Sequence, residues 1–245
     1  MMKIAVITGS SSGIGKAIAD LLLAIGYKVY GISRSKSFFR NTKFIWIKAD
    51  LTKIKDYSQI SKSIKENKID VLINNAGVAF EKSALDFTEK SFNRMFDINF
   101  KAPILLTEKL KGKLFGNLVI NISSVSDRLV GEKYALYCSS KAALNKYFDV
   151  VALEEKKIKF ISILPSYVDT SLLRNLQKNN RDFDWVGTIK PTQIAELVGT
   201  IVENKNIPTG SKIIAVSNSL KEDLEYKENL WSYNVTTKNL LRLKQ

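Results

Sequence analysis

Runs of apolar residues rich in β-branched side chains alternate with helical patterns along most of the chain. The apolar runs predict seven strands, at 3–8, 28–33, 43–48, 70–74, 117–123, 158–164 and 211–217. Helical periods lie between them, at 14–25, 53–67, 90–111, 134–157 and 191–203. Almost continuously apolar strands are typical of a parallel sheet covered on both faces. The pattern therefore predicts an α/β fold, a doubly wound parallel sheet of seven strands with helices on both faces.

Two stretches depart from this alternation. The chain has 245 residues, of which 45% are hydrophobic, and this length and composition suit a single domain spanning 1–245. The segment 171–190 is polar but contains Phe183 and Trp185. The tail 218–245 carries large apolar residues that predict a helical or packed extension, namely Leu224, Leu230, Trp231, Leu240, Leu241 and Leu243.

The composition excludes several kinds of site. With one cysteine, Cys138, and no histidine, neither an internal disulfide nor a zinc-type cluster is expected, so no metal is predicted. The apolar runs fall short of the ~18 residues that span a bilayer, and no signal-peptide pattern precedes the first strand. We therefore expect a cytoplasmic protein that does not bind a membrane.

The charge is strongly positive, with 38 Lys and Arg against 24 Asp and Glu, a net charge of +14. Such a field attracts anions, and either a lysine-rich solvated surface or an acidic cofactor, substrate or partner accounts for it. Because the positive residues are spread along the whole chain rather than gathered on one motif, no nucleic-acid partner is predicted.

Three glycines stand between the first predicted strand and the first helix, in TGSSSGIG at 8–15. Unpaired backbone N–H groups and the helix dipole favour an anion at this position, and glycine lets the backbone approach it. By analogy with dinucleotide-binding loops, Gly9 permits the tight turn and Gly13 permits the close approach of the backbone to the anion. Gly15 permits the close packing of the helix against the strand. The alternative phosphate loop is excluded, because only three residues separate Gly9 from Gly13 and Lys16 is followed by Ala17.

Further motifs follow in a fixed order. They are NNAG at 74–77, Asn99 within DINF, NISS at 121–124, YCSSK at 137–141 and PSYVDT at 165–170. Together with the glycine loop, they make residues 3–216 resemble the short-chain dehydrogenase/reductase family. The resemblance implies a Rossmann-like fold, a nicotinamide cofactor, and a homodimer or homotetramer formed through the helices at 90–111 and 134–157.

The resemblance also implies a catalytic set. Tyr137 is its general acid/base, Lys141 tunes the phenol and holds the nicotinamide ribose, Ser124 positions the substrate carbonyl, and Asn99 supports a proton-relay water. On a helix, Tyr137 and Lys141 share one face, since they are four residues apart. A free tyrosine has a pKa of about 10, so we expect Lys141, an oxidised nicotinamide and the helix N-terminus to lower it.

The end of the second strand bears on the choice of cofactor, because an acidic residue there would bind the ribose of NAD and repel a 2′-phosphate. The segment has Ser33 and Arg34 and no carboxylate, which favours NADP(H) over NAD(H). Against this, Arg34 fits a solvated loop charge too, and many NADP-using relatives carry a basic residue at the position of Ser12. Asp50 matches the family's adenine-contacting acid, and an alternative role that is compatible with that contact is to cap a helix that begins at Thr52.

The predicted cofactor-binding residues combine these motifs. They are Gly9, Ser11, Ser12, Gly13, Ile14, Gly15, Ser33, Arg34, Asp50, Leu51, Asn75, Ala76, Gly77, Tyr137, Lys141, Pro165, Val168 and Thr170. One departure from the family pattern lies among them, since Ser166 stands where the family usually has glycine.

The segment 171–190 occupies the place of the family's substrate lid. Five of its residues either line an apolar pocket or close the core: Leu172, Leu173, Leu176, Phe183 and Trp185. Five basic residues lie near the presumed entrance and would suit an acyl group on an acidic carrier protein: Arg128, Lys133, Arg174, Lys178 and Arg181.

The sequence thus predicts an NADP(H)-dependent oxidoreductase that interconverts a small-molecule carbonyl and alcohol by hydride transfer. One alternative is a 3-oxoacyl-[acyl-carrier-protein] reductase. The other is a non-catalytic NADP-binding sensor or scaffold, against which the full Ser124, Tyr137 and Lys141 set argues.

Overall fold

In the computed structural model, which describes residues 2–36, 39–216 and 230–242, the strands form one sheet with the order β3-β2-β1-β4-β5-β6-β7-β8-β9. The strands are β1 Ile4–Thr8, β2 Lys28–Ser33, β3 Phe44–Lys48, β4 Val71–Asn74, β5 Leu118–Ile122, β6 Lys159–Pro165, β7 Ser211–Val216, β8 Leu230–Asn234 and β9 Asn239–Arg242. Neighbours pair in parallel from β3 through to β8, and only β9 runs antiparallel to its neighbour.

Helices cover both faces of this sheet. They are α1 Gly13–Ala24, α2 Ile54–Ser63, α3 Glu89–Phe96, α4 Ala102–Leu114, α5 Ala135–Glu154, α6 Ser171–Leu176 and α7 Pro191–Glu203, with a π-helical segment at Asp97–Lys101 and a 3₁₀ turn at Val125–Asp127. Among the described helices, none combines the length and apolar character that crossing a bilayer requires. The α/β fold predicted from the hydrophobic pattern is confirmed.

The alternation of side chains along β1 shows how the two layers form. Ala5 and Ile7 belong to the core cluster that includes α1 and α7, whereas Ile4 and Val6 belong to the one that includes α2, α4 and α5. Both faces of the strand are therefore buried, which explains its unbroken apolar run. Since β1 is flanked by β2 on one side and β4 on the other, the chain reverses its strand order there and opens a crevice at the carboxyl ends of the strands.

The prediction of seven strands is short by two, because the described part of the tail forms the hairpin β8–β9. Tyr233 and Val235 are 2% and 3% exposed and join the core cluster of α1 and α7. Two contacts fasten the hairpin to α7: Gln193 Nε2 donates to the Val235 carbonyl at 3.2 Å, and Lys238 Nζ lies 3.1 Å from Glu196 Oε2. For residues 230–242, the prediction of a packed extension is therefore correct and the prediction of a helical one is wrong. Leu224 and Leu243 lie outside the described residues.

The stretch WSYNV has the alternation of a strand, with apolar residues at every second position. What the pattern alone leaves open is the neighbour that the strand pairs with. In the structure β8 adds to β7 in parallel, with Ala215 opposite Tyr233. The hairpin thus extends the sheet beyond β7 and buries a ring that an isolated tail would expose.

We expect Tyr233→Ala to lower the free energy of unfolding by about 3–5 kcal/mol, since it removes a fully buried aromatic ring. Leu241→Ala is the matched control within the same hairpin, because Leu241 is 61% exposed and its loss should change stability by no more than about 0.5 kcal/mol. Urea denaturation followed by circular dichroism measures both. If Tyr233→Ala changed the free energy of unfolding as little as Leu241→Ala does, the hairpin would not unfold together with the sheet.

Candidate active site

The carboxyl ends of β1 and β4 are held together by Thr8 and Asn75. Thr8 Oγ1 accepts hydrogen bonds from the backbone N–H groups of Asn75 and Ala76, both at 2.9 Å, and Asn75 Nδ2 donates to the Thr8 carbonyl at 2.8 Å. The glycine loop fits closely against this junction. A Cβ on Gly9 would lie 2.8 Å from Asn75 Nδ2, and one on Gly15 would overlap both Asn75 Nδ2 and the Gly9 carbonyl. Gly9 also has a φ of 70°, in the region that favours glycine.

A cleft of about 410 Å³ opens beside this loop. Most of the predicted cofactor residues line it: Gly9, Ser11, Ser12, Gly13, Ile14, Ser33, Arg34, Asp50, Leu51, Asn75, Ala76, Gly77, Tyr137, Lys141 and Thr170. Three of the predicted residues lie elsewhere. Gly15 packs behind the loop, and Pro165 and Val168 line a neighbouring pocket, because β6 ends on that side of the cleft.

One end of the cleft is polar and carries Arg34. Arg34 is exposed, and its positive charge is one of the contributions that lower the pKa of Asp50. Burial raises the pKa of the Asp50 carboxyl, but hydrogen bonds from Thr52 and the charges of Lys53 and Arg34 outweigh it, so the pKa lies below its usual value. The hydroxyl of Ser33 donates to the Ser35 carbonyl at 2.7 Å and accepts from Trp46 Nε1 at 3.0 Å. Ser33 is thus engaged within its own loop.

Asp50 does not cap α2. Its Oδ1 accepts from Thr52 N and Thr52 Oγ1 at 3.1 and 2.9 Å, in a turn that precedes the helix, and the helix begins at Ile54 with Lys53 at its N-cap. The capping alternative is therefore wrong. The reason is local: the hydroxyl and N–H of Thr52 capture the carboxylate two residues away.

Ser124, Tyr137 and Lys141 lie where the cleft adjoins a second pocket: Lys141 lines the cleft, Ser124 lines the pocket, and Tyr137 lines both. Ser124 follows β5, whereas Tyr137 and Lys141 lie one turn apart on α5. The Ser124 side chain is close enough to the Tyr137 phenol to influence its pKa, and Lys141 Nζ donates to the Ile122 carbonyl at 3.1 Å and lies 5.8 Å from the centroid of the Tyr137 ring. The carboxyl end of β5 and one face of α5 thus bring together a hydroxyl, a phenol and an amine.

Burial dominates the ionisation of the two groups on α5. It raises the pKa of the Tyr137 phenol, and the hydrogen bond with Ser124 lowers that pKa by less. Burial also lowers the pKa of Lys141 to about 8. Removal from water is therefore the larger effect on both groups of this chain, and the lowering of the phenol pKa expected from Lys141, an oxidised nicotinamide and the helix N-terminus together stays a prediction.

Asn99 lies on the π-helical segment and is 1% exposed. Its Oδ1 accepts from Val78 N at 2.8 Å, and its Nδ2 donates to the Val78 carbonyl at 2.8 Å and to Ser140 Oγ at 3.1 Å. The amide therefore ties the loop after β4 to α5 and lines neither the cleft nor the neighbouring pocket. Both polar atoms of the amide are thus engaged by Val78 and Ser140, and the expected support of a relay water stays a prediction.

A second pocket of about 300 Å³ adjoins the cleft, and Tyr137 lines both. Three residues of the predicted lid line this pocket: Leu172, Leu173 and Leu176. For these three, the structure favours the alternative of lining an apolar pocket over that of closing the core. Phe183 and Trp185 do not. Phe183 instead packs between Tyr167 and Trp185, with ring centroids 5.2 and 4.8 Å apart.

The five basic residues predicted near the entrance do not line this pocket either. Arg128 forms a two-point ion pair with Asp127 at 2.7 and 2.8 Å, and Arg174 forms one with Asp169 at 2.7 Å for both contacts. Lys133, Lys178 and Arg181 are exposed. Two of the five charges are therefore balanced by neighbouring carboxylates.

Several site residues were missed from the sequence. Ser126 interacts with Ser124 through both its N–H and its hydroxyl, each at 3.1 Å. Ser171 and Asn175 line the cleft from α6. Their spacing of four residues is a detectable signal once a helix is placed there, but the sequence predicted only a lid. Ser166, the departure from the family pattern, donates its N–H to the Ala215 carbonyl at 2.9 Å and so continues the pairing of β6 with β7.

A model of the short chain dehydrogenase family matches residues 3–181. An uncharacterized oxidoreductase of Saccharomyces cerevisiae is 32% identical over 194 residues, which cover 73% of this chain and 76% of the yeast protein. A benzil reductase of Bacillus cereus, described as (S)-benzoin forming, is 28% identical over 245 residues, covering 86% of this chain and 98% of the relative. The crystal structure of a short chain dehydrogenase family protein from Francisella tularensis matches with a TM-score of 0.80 at 29% identity, covering 87% of this chain and 97% of that one. The chain belongs to the short-chain dehydrogenase family of oxidoreductases, whose members bind nicotinamide cofactors.

Proposed function

We propose that the protein is an NADP(H)-dependent oxidoreductase that interconverts a small-molecule carbonyl and the corresponding alcohol. The observation that carries this proposal is the convergence of Ser124, Tyr137 and Lys141 where the cleft of about 410 Å³ meets an apolar pocket. Tyr137 lines both spaces, so a group in the pocket and a cofactor in the cleft would meet at its phenol. The name of the benzil reductase relative, which acts on a diketone, agrees with a carbonyl substrate.

The chain's own groups have distinct roles in this proposal. The hydroxyls of Ser124 and Tyr137 donate hydrogen bonds to the substrate oxygen, and Tyr137 gives its proton to that oxygen as negative charge develops there. The raised pKa of Tyr137 keeps the phenol protonated near neutrality, the form that reduction requires. Lys141, held by the Ile122 carbonyl, supplies positive charge beneath the ring. The nicotinamide cofactor supplies the hydride when bound.

The cleft fits a dinucleotide on two grounds. Side chains at Gly9 and Gly15 would collide with the Asn75 junction, so the loop is built for a backbone that lies close to its surroundings. Arg34 is exposed at the other end of the cleft, and its guanidinium donors suit a phosphate. Because the segment Ser33–Ser35 carries no carboxylate, we propose NADP(H) in preference to NAD(H).

The other functional candidates have weaker support. The ion pairs of Arg128 and Arg174 leave Lys133, Lys178 and Arg181 as the basic residues available to an acidic carrier protein. A 3-oxoacyl-[acyl-carrier-protein] reductase is thus less favoured, and a non-catalytic sensor has no chemical need for the complete set of three catalytic side chains. We also propose a homodimer or homotetramer, for which the exposed Val150 and Leu153 on α5 give apolar surface.

Tyr137→Phe is expected to lower turnover of a carbonyl substrate by about 100- to 10,000-fold, since it removes the proton donor. Binding of NADPH, measured by fluorescence titration, should persist. Tyr147→Phe removes the same hydroxyl from a 40% exposed residue on the same helix and should keep the wild-type rate. Turnover by Tyr137→Phe at the rate of this control would disprove the assigned role.

Arg34→Asp is expected to weaken NADPH binding by about 100-fold or more, because it replaces a charge-assisted partner of the 2′-phosphate with a repulsive one. NADH binding should change far less. Arg94→Asp makes the same charge change at an exposed residue of α3 and should affect neither cofactor. Isothermal titration with both cofactors measures the effect, and an equal loss for NADPH and NADH would count against the assignment.

The burial of Lys141 is testable through the pH dependence of stability. Its folded pKa of about 8 lies below the ordinary 10.5, so the unfolded chain binds more protons between these values and folding becomes more favourable as pH rises from about 8 to 10.5. Relative to Lys141→Met, the free energy of unfolding of the wild type should increase by up to about 3 kcal/mol as the pH rises across this window.

The measurement is urea denaturation of both proteins at intervals across the window. Lys146→Met, at a lysine on α5 whose side chain is 75% exposed, is the control and should follow the wild type. A constant difference between wild type and Lys141→Met at every pH would refute the burial.

A further inference from the structure

The pocket beside Ser124 and Tyr137 is electrically neutral. Its walls, as far as the described residues form them, contain no Asp, Glu, Lys or Arg side chain. Their polar groups are hydroxyls, one thiol and the amide of Gln177. This neutrality contrasts with the +14 charge of the whole chain.

The guanidinium groups near the pocket are directed to carboxylates. The side chains of Arg128 and Asp127 are 6% and 3% exposed, and Asn145 Nδ2 donates to Asp127 Oδ2 at 2.7 Å. Arg174 is held by Asp169 and lies 5.0 Å from the Trp185 ring. These contacts keep both cations away from the pocket interior, since each is already bound in a fixed geometry.

Apolar side chains form the pocket walls on two sides. Leu172, Leu173 and Leu176 come from α6, and Val125 and Leu129 come from the loop after β5. The volume of about 300 Å³ is at the lower end of the range for ligand pockets, roughly 300–1,000 Å³. The walls therefore suit a compact apolar group.

The rim of the pocket is fastened by two hydrogen bonds between the loop after β4 and the start of α5. Tyr134 Oη donates to Glu81 Oε1 at 3.1 Å, and Lys82 N donates to the Lys133 carbonyl at 2.9 Å. Glu81 is thus engaged with Tyr134 and is absent from the pocket lining. The contacts at the rim therefore add no charged side chain to the neutral interior.

We propose that the substrate is a compact, uncharged carbonyl compound whose carbonyl carries an aromatic or branched apolar group, selected by the leucines of α6. This inference rests on the proposed function and adds the substrate class to it. A carboxylate or phosphate in this pocket would lose its water without gaining an ionic partner. The positive field of the protein does not offset this desolvation cost. Salt screens the exposed charges over about 10 Å, whereas the cost arises from the loss of water in direct contact with the anion.

Two substrates of nearly the same shape test this inference. 1-Phenyl-1,2-propanedione and phenylglyoxylate share an aromatic ketone, and differ in an acetyl group against a carboxylate. We expect kcat/KM for the diketone to exceed that for phenylglyoxylate by about 100-fold or more, measured as NADPH oxidation. L-Erythrulose, which is uncharged but polyhydroxylated, should also react more slowly than the diketone.

A substitution in the lid provides the second arm. Leu176→Arg places a cation in the pocket and should reduce the diketone-to-phenylglyoxylate ratio by about tenfold or more. Leu241→Arg introduces the same side chain at an exposed position of β9 and should keep the wild-type ratio. Circular dichroism and NADPH titration establish that both variants are folded.

The outcomes separate this inference from the proposed function. Preference for the diketone together with a shift in Leu176→Arg supports it. Faster reduction of phenylglyoxylate or erythrulose than of the diketone overturns the substrate class while leaving the oxidoreductase proposal intact. If Leu176→Arg folds and keeps the wild-type ratio, the role of the α6 leucines is disproved. Tight NADPH binding without turnover of any of the three carbonyl compounds would overturn the proposed function and this inference with it.

Discussion

The geometry of the site depends on the junction between the ends of β1 and β4. There the Thr8 hydroxyl accepts two backbone N–H groups from the β4 loop, and the Asn75 amide returns a bond to the Thr8 carbonyl. This reciprocal bonding satisfies backbone groups that the sheet leaves unpaired where its strand order reverses. It also brings the backbone so close to the glycine loop that Gly9 and Gly15 have no room for a side chain. The cleft is the space that this close packing leaves beside the loop.

Helix α5 borders both the cleft and the neighbouring pocket, because Tyr137 lines the two spaces. Residues four positions apart on it face the same region, so Tyr137, Lys141 and Asn145 all contact the end of β5 or the turn that follows it. Ser140, on the neighbouring face, receives the amide of Asn99 from the π-helical segment. Asn99 is buried within that segment. A short stretch of one helix is thereby fixed by several independent elements.

Net charge and local charge differ strongly in this protein. The chain carries an excess of 14 positive charges, yet the pocket beside Tyr137 is lined by neutral described residues. The difference arises because Arg128 and Arg174 form paired hydrogen bonds with carboxylates close in sequence, at positions one and five residues away. Total charge governs the field at a distance, and burial with pairing governs the chemistry at contact.

The sequence by itself determined the seven strands β1 to β7, the glycine loop and the helix carrying Tyr137 and Lys141, because these follow from local periodicity and from short spacings along one element. Tertiary structure alone decided the features that depend on distant partners. It placed β8 beside β7, packed Phe183 between two aromatic rings instead of in the pocket, and engaged Asn99 with the backbone of Val78. It also set the direction of the pKa shift at Tyr137, since desolvation depends on everything that surrounds a group and residue spacing reports only its neighbours on the same element.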